Sequence, residues 1–134
     1  MTELFGEVIS SYSRAQALYD GVLVDVSELA QEAGFVFPVA VTPALHSLLT
    51  PTVKDLAKGQ DFTGRLWDAL YMLSMSIKGA LPSRKVAGPG PGQTTFYKLY
   101  LVVNGRRRLQ ELKAICGPGD QGEPVVTVML PNED

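Results

Sequence analysis

Tyr12-Ser-Arg-Ala-Gln-Ala-Leu-Tyr-Asp-Gly-Val-Leu-Val-Asp-Val-Ser27 holds a helix, a turn and a strand within one short stretch. Ser13 is a good N-cap, Asp20-Gly21 ends the helix, and Val22 to Val26 is β-branched and therefore strand-like. Ser27 is read as the cap of a second helix that Gly34 closes. A helix feeding a strand feeding another helix already points to a mixed fold. Asp25 lies inside the apolar strand, so its carboxylate either faces solvent or finds a partner.

Working outward, Phe35 to Val41 is extended, and Pro38 is expected to confine it to an edge or a loop. Thr42-Pro43 supplies a cap and a first-turn proline for a helix through Leu49. Thr50-Pro51 repeats the pair, and Gly59 ends that second short helix. The longest helix is expected from Asp61 or Thr63 to about Gly79. Leu66, Leu70, Leu73 and Ile77 recur at helical spacing, with Trp67, Tyr71 and Met75 as a second stripe. An apolar arc that wide predicts burial on more than one side.

Residues 86–94 alternate glycine with proline and suit neither helix nor strand; a mobile loop is expected there. Beyond it, Phe96 to Val103, Leu109 to Cys116 and Val125 to Leu130 alternate as strands. Asn104-Gly105 is a strong two-residue hairpin signal. It sets Lys98 opposite Glu111 and Tyr100 opposite Leu109. The other face then carries Tyr97, Leu99, Leu101 and Leu112. Arg106 and Arg108 fall on that same face, so they must lie past the packed region or follow a bulge. The expected fold is α+β: one domain, 1–134, with helices packed on a small, largely antiparallel sheet that ends in a three-stranded meander.

Composition narrows the function classes. With 134 residues, 46% apolar content and a net charge of −2, the chain can form a core but has no global basic field for nucleic acid. A single cysteine, Cys116, rules out an internal disulfide framework and fits a reducing compartment. No basic or apolar leader opens the chain, and no apolar run is long enough to span a bilayer, so a soluble cytoplasmic protein is expected, with no membrane partner.

Leu4-Phe5-Gly6, Tyr12-Ser-Arg-Ala-Gln-Ala17, Asp20-Gly21, Leu23-Val-Asp-Val-Ser27 and Pro38-Val-Ala-Val-Thr42 resemble one signature of a small uncharacterised bacterial domain family. Leu112-Lys-Ala114, Gly117-Pro-Gly-Asp120, Glu123-Pro124 and Met129-Leu-Pro131 resemble its second. The family is often carried on plasmids, phages and other mobile elements. It has no assigned activity, so the resemblance implies a context, an accessory protein of mobile DNA, and no catalytic residue.

Few residues offer chemistry. Tyr12, Arg14 and Asp25 form a candidate ligand cleft, though an Arg14–Asp25 pair that orients the first helix on the strand is the plainer expectation. His46 sits among leucines without a second ligand type nearby, so no metal site is expected. Nothing local activates Cys116 as a nucleophile, with or without His46. Alternate prolines in Gly88 to Gly92 remove the N–H groups that a phosphate loop needs. Gly117 to Pro124 has turn-capping acids, Asp120 and Glu123, but too few carboxylates for calcium. No cofactor motif is present.

Arg106-Arg107-Arg108 is the dense basic cluster, beside a hairpin tip. Lys98, Phe96 and Tyr100 interleave cations with aromatic rings on the adjoining strand. Such a ribbon suits single-stranded nucleic acid or an acidic protein, and it also blunts a sheet edge. The preferred expectation is a non-enzymatic binding or regulatory protein acting through protein contacts. Nucleic-acid binding through Arg106–Arg108, with Lys98 and Tyr100, is the alternative. An enzyme with a Tyr12/Arg14/Asp25 cleft comes third, and a homodimer through the long helix is a further option.

Overall fold

Short-range capping decides where each helix begins. In the computed structural model, which describes residues 12–78 and 93–133, the Ser13 hydroxyl oxygen accepts from the Gln16 N–H and starts α1, Arg14–Tyr19. Gly21, at φ +78°, leads the chain out of it in a left-handed conformation that a Cβ would disfavour. Strand β1 is only Val24–Asp25. Its expected start at Val22 is lost because the N–H groups of Val22 and Leu23 both bond the Ala17 carbonyl, which keeps them in the helix exit.

Helix α2 spans Ser27–Glu32, and Ser27 is its first residue instead of its cap. The Ser27 hydroxyl donates to the Asp25 carboxylate at 2.6 Å, and its oxygen accepts from the Val39 N–H at 3.0 Å. It therefore ties α2 to β2, Val39–Val41. That strand begins just after Pro38, so the missing N–H removes no ladder bond. β2 accordingly lies inside the sheet, not at its edge. Thr42 caps α3, Pro43–Leu49, with Pro43 in the first turn. The next start is shifted: Thr50 closes α3, and Thr52 caps α4, Val53–Ala57. Thr52 and Asp55 satisfy each other's backbone N–H groups in a capping box.

Helix α5 runs Phe62–Lys78. Asp61 supports its first turn by accepting from the Gly64 N–H at 2.7 Å. Leu66, Leu70 and Leu73 are buried, whereas Tyr71 and Met75 are exposed and Trp67 is half-buried, stacked on the Tyr71 ring. The expected two-sided burial is thus corrected to one side. Sheet and helices α2 and α3 cover one arc, and no described element covers the other.

The sheet has five strands in the order β1-β2-β5-β4-β3, with β3 at Gln93–Val103, β4 at Arg106–Pro118 and β5 at Pro124–Met129. β3, β4 and β5 are consecutive antiparallel neighbours. The sheet is more than a meander, because β5 pairs in parallel with β2 and β2 antiparallel with β1. The architecture is α+β with a mixed, mostly antiparallel sheet.

Asn104 and Gly105 both take positive φ, +54° and +77°, the geometry of a type I′ turn whose twist suits a two-residue hairpin. Lys98 accordingly faces Glu111 and Tyr100 faces Leu109, as the turn predicts. Register is unbroken from Gln93 to Val103, so no bulge intervenes. Arg108 faces the buried Leu101 yet is itself exposed, which puts it past the packed layer.

One sheet face, with Val41, Val128, Leu112 and Leu99, packs on Leu45, Leu49, Leu70 and Leu73. Each leucine buried there contributes about 1.5–3 kcal/mol relative to exposure. Tyr97 joins this core because its hydroxyl donates to the Ala69 carbonyl at 2.9 Å. On the opposite face α1 lies across β5, with Ala17 buried and Arg14 reaching Thr127. The motif Leu4-Phe5-Gly6 and the glycine–proline run of Gly88 to Gly92 lie outside the described residues.

Candidate functional site

Strand alternation and the Asn104-Gly105 turn together build the outer face of the β3–β4 hairpin. Residues Phe96, Lys98 and Tyr100 point outward from β3, and their cross-strand partners Lys113, Glu111 and Leu109 do so from β4. Three large side chains there are more than half exposed: Phe96 at 54%, Tyr100 at 55% and Leu109 at 56%. Val102 faces Arg107, which makes Arg107 the diagonal neighbour of Tyr100. Its guanidinium carbon lies 3.8 Å from the Tyr100 ring centroid, a cation–π contact of about 0.5–1 kcal/mol at an exposed site.

Around the tip, Arg106, Arg107 and Arg108 are all exposed. The Lys58 ammonium joins them, since a Cβ added at Gly105 would sit 3.0 Å from its nitrogen. Lys98 extends the cationic strip along β3, and Glu111 is the carboxylate facing it. In a chain of net charge −2 this hairpin is a local positive patch. Phe96, Tyr100, Lys98 and Arg107 share the outer face, whereas strand alternation turns Arg106 and Arg108 to the other side of the hairpin tip.

A buried ion pair holds the tip in place. Asp55, fully buried, accepts from Arg65 Nη2 at 3.1 Å and from the backbone N–H groups of Asn104 and Gly105 at 3.2 and 3.1 Å. Arg65 also donates to the Val102 carbonyl, while its Nε has no hydrogen-bond partner among the described residues. Burial alone would raise the Asp55 carboxyl. Hydrogen bonds from Asn104, Thr52 and Arg65 outweigh it and hold the group down at about 2. The carboxylate stays ionised and fixes the loop by charge-assisted bonds.

Asp55 and Arg65 do not stand out as a pair in the sequence, though each carries a signal. Thr52 and Asp55 have capping-box spacing, with aspartate in the acidic position. Arg65 lies three residues after Phe62 and four before Ala69, inside the arc that α5 buries. An arginine at a core position implies a buried acid.

Tyr12, Arg14 and Asp25 each bond a different neighbour. The Tyr12 hydroxyl donates to Asp20 at 2.6 Å. Arg14 donates to Thr127 Oγ1 at 2.9 Å and to the Val126 carbonyl at 3.0 Å. Asp25 accepts from Ser27, and no direct ion pair joins it to Arg14. The two remain electrostatic neighbours across the row Asp25–Ala40–Thr127. Burial lowers the Arg14 pKa, and the charges of Asp25, Asp120 and Glu123 oppose that. Asp120 also accepts the Arg14 and Ala15 N–H groups at 2.6 and 3.0 Å, so a β4–β5 turn residue caps α1. A cleft of about 360 Å³ between α2 and α5 includes Asp25, Glu28, Leu29 and Phe62 in its wall, but neither Tyr12 nor Arg14.

His46 packs against Phe62, with ring centroids 4.6 Å apart. Cys116 is buried, and burial pushes its thiol up, away from the thiolate that nucleophilic attack requires. Among the described residues no three His, Cys, Asp or Glu side chains are placed to hold a metal. No helix of the described residues is long and apolar enough to cross a membrane. Comparison with protein-family models, with curated proteins and with solved structures finds no match to this chain.

Proposed function

We propose that this chain is a non-enzymatic binding protein whose contact surface is the outer face of the β3–β4 hairpin, and that its ligand there is single-stranded nucleic acid. The observation that carries the reading is Arg107 stacked on Tyr100, with exposed Phe96 and Lys98 on the same strand face. Unpaired bases stack on aromatic rings and guanidinium planes, and flanking cations follow the phosphates. Lys98 on that face would take the second role, with Arg106, Arg108 and Lys58 adding positive charge around the tip. A cytoplasmic accessory role on mobile DNA, the context implied by the family resemblance, belongs to the same proposal.

A second reading, contact with an acidic protein, draws on the exposed Leu109 beside these cations, because a protein interface would bury it. Fluorescence anisotropy with labelled single-stranded DNA and RNA, titrated at two salt concentrations, separates the two. Saturable binding that weakens steeply with salt is expected, since released counterions accompany each phosphate contact. Replacing Arg106, Arg107 and Arg108 together by alanine should abolish it. An absence of binding at low salt removes the nucleic-acid reading and leaves the protein one.

A further inference from the structure

Strand β3 ends the sheet: β4 pairs with one side of it, and no described strand pairs with the other. The turn fixes which backbone groups face that open side. Next to a two-residue loop, Val103 and Arg106 form the hydrogen-bonded pair, so odd-numbered residues of β3 exchange N–H and C=O with β4. Thr94, Phe96, Lys98, Tyr100 and Val102 direct theirs outward. The Val102 carbonyl shows this direction, because it accepts from Arg65 of α5 and not from β4. The open edge therefore runs from Thr94 to Tyr100.

Such an edge is a template for another strand, and proteins usually blunt it with proline, a bulge or charges. β3 contains no proline, its register with β4 is unbroken, and Lys98 is its single charge. We infer that this edge pairs antiparallel with the same edge of a second copy of the chain, about a two-fold axis at Tyr97.

Self-complementarity selects the second copy as occupant and selects the register. About Tyr97, Phe96 lies opposite the lysine at 98 of the other copy, an aromatic–cation pair, and Thr94 lies opposite the tyrosine at 100. Every outward N–H and C=O from Thr94 to Tyr100 then has a mate. An axis at Lys98 would oppose two like charges. An axis at Leu99 would need the Val102 edge, which Arg65 already occupies. Helix α5 adds apolar surface on the same side. Arg65, Ala69 and Met72 share one flank by helical spacing. The first two bond β3, and Met72 is exposed.

The axis is normal to the sheet, so both hairpins present their outer faces in the same direction. Strands β4 and β3 of each copy become one four-stranded platform that carries Lys98, Tyr100 and Arg107 twice. Pairing needs no nucleic acid, so this inference stands apart from the proposed ligand.

The test uses the full chain without nucleic acid: sedimentation equilibrium, with residue-resolved amide hydrogen exchange at two protein concentrations. At high concentration the mass should be twice 14.5 kDa. There the Phe96, Lys98 and Tyr100 amides should be protected, and dilution should expose them, while Tyr97, Leu99 and Leu101 stay protected throughout. Lys98→Pro removes one outward N–H and no β3–β4 bond, so it should stay at 14.5 kDa with Tyr97 and Leu99 still protected. A chain that remains monomeric at every concentration overturns the inference. A dimer whose even-numbered β3 amides exchange fast overturns it too, since its interface lies elsewhere. These exchange measurements on the unmodified chain decide the matter even if the proline variant does not fold.

Discussion

The Asp55 carboxylate accepts the Gly105 N–H at 3.1 Å, joining a helix capping box to a hairpin turn far along the chain. The same side chain therefore starts α4, neutralises Arg65 and holds the loop from which the arginines project. Hairpin orientation is set by a buried charge pair and not by the turn alone.

Removing one member of that pair should be expensive. Arg65→Met fills similar volume but leaves a buried carboxylate without its counter-charge, and a loss of about 3 kcal/mol is expected. Urea unfolding followed by circular dichroism measures it. A loss below about 1 kcal/mol would show that the backbone N–H groups suffice to hold Asp55.

Acid should weaken the fold through the same group. The folded Asp55 carboxyl titrates at about 2, below its ordinary 3.8, so its contribution is complete above that ordinary value. It declines as pH falls from about 4 towards 2, where the folded state also takes up the proton. Asp120 shifts in the same direction, because the Ala15 and Arg14 N–H groups bond its charged form. Urea midpoints measured across this range should fall with pH, and less steeply in Asp55→Asn. An equal slope in that variant would assign the loss to other carboxylates.

One-sided burial of α5 gives a sharp contrast between neighbours. Leu73→Ala opens a cavity under the sheet and should cost about 2–5 kcal/mol. Met75→Ala, on the exposed side, should stay within about 0.5 kcal/mol. Comparable losses from both would mean that the second stripe is covered in solution.

Binding should separate stacking from charge. Tyr100→Ala removes a platform worth about 1–3 kcal/mol per stacked base, so affinity for single strands should drop roughly tenfold with the salt dependence kept. Lys98→Ala should instead flatten the salt dependence, because each lost phosphate contact on a single strand lowers its slope by about 0.7. Anisotropy titrations at several salt concentrations read both quantities. A Tyr100→Ala variant with unaltered affinity removes that ring from the contact surface.

Sequence alone determined what neighbours within a few residues decide. Ser13 and Thr42 cap their helices because a side-chain oxygen reaches an N–H only three residues on. Asn104-Gly105 specified the hairpin and its whole register because those two residues tolerate the positive φ of the turn. Ser27 shows where such reasoning ends: it looks like a cap, yet its hydroxyl serves β2, which arrives later in the chain. Tertiary structure alone decided the parallel pairing of β2 with β5, the exposure of Tyr71 and Met75, and the meeting of Asp55 with Arg65 and Gly105. Helical spacing identifies an apolar stripe but not how many of its sides find partners, and a buried charge is tolerable only where distant segments bring its donors to it.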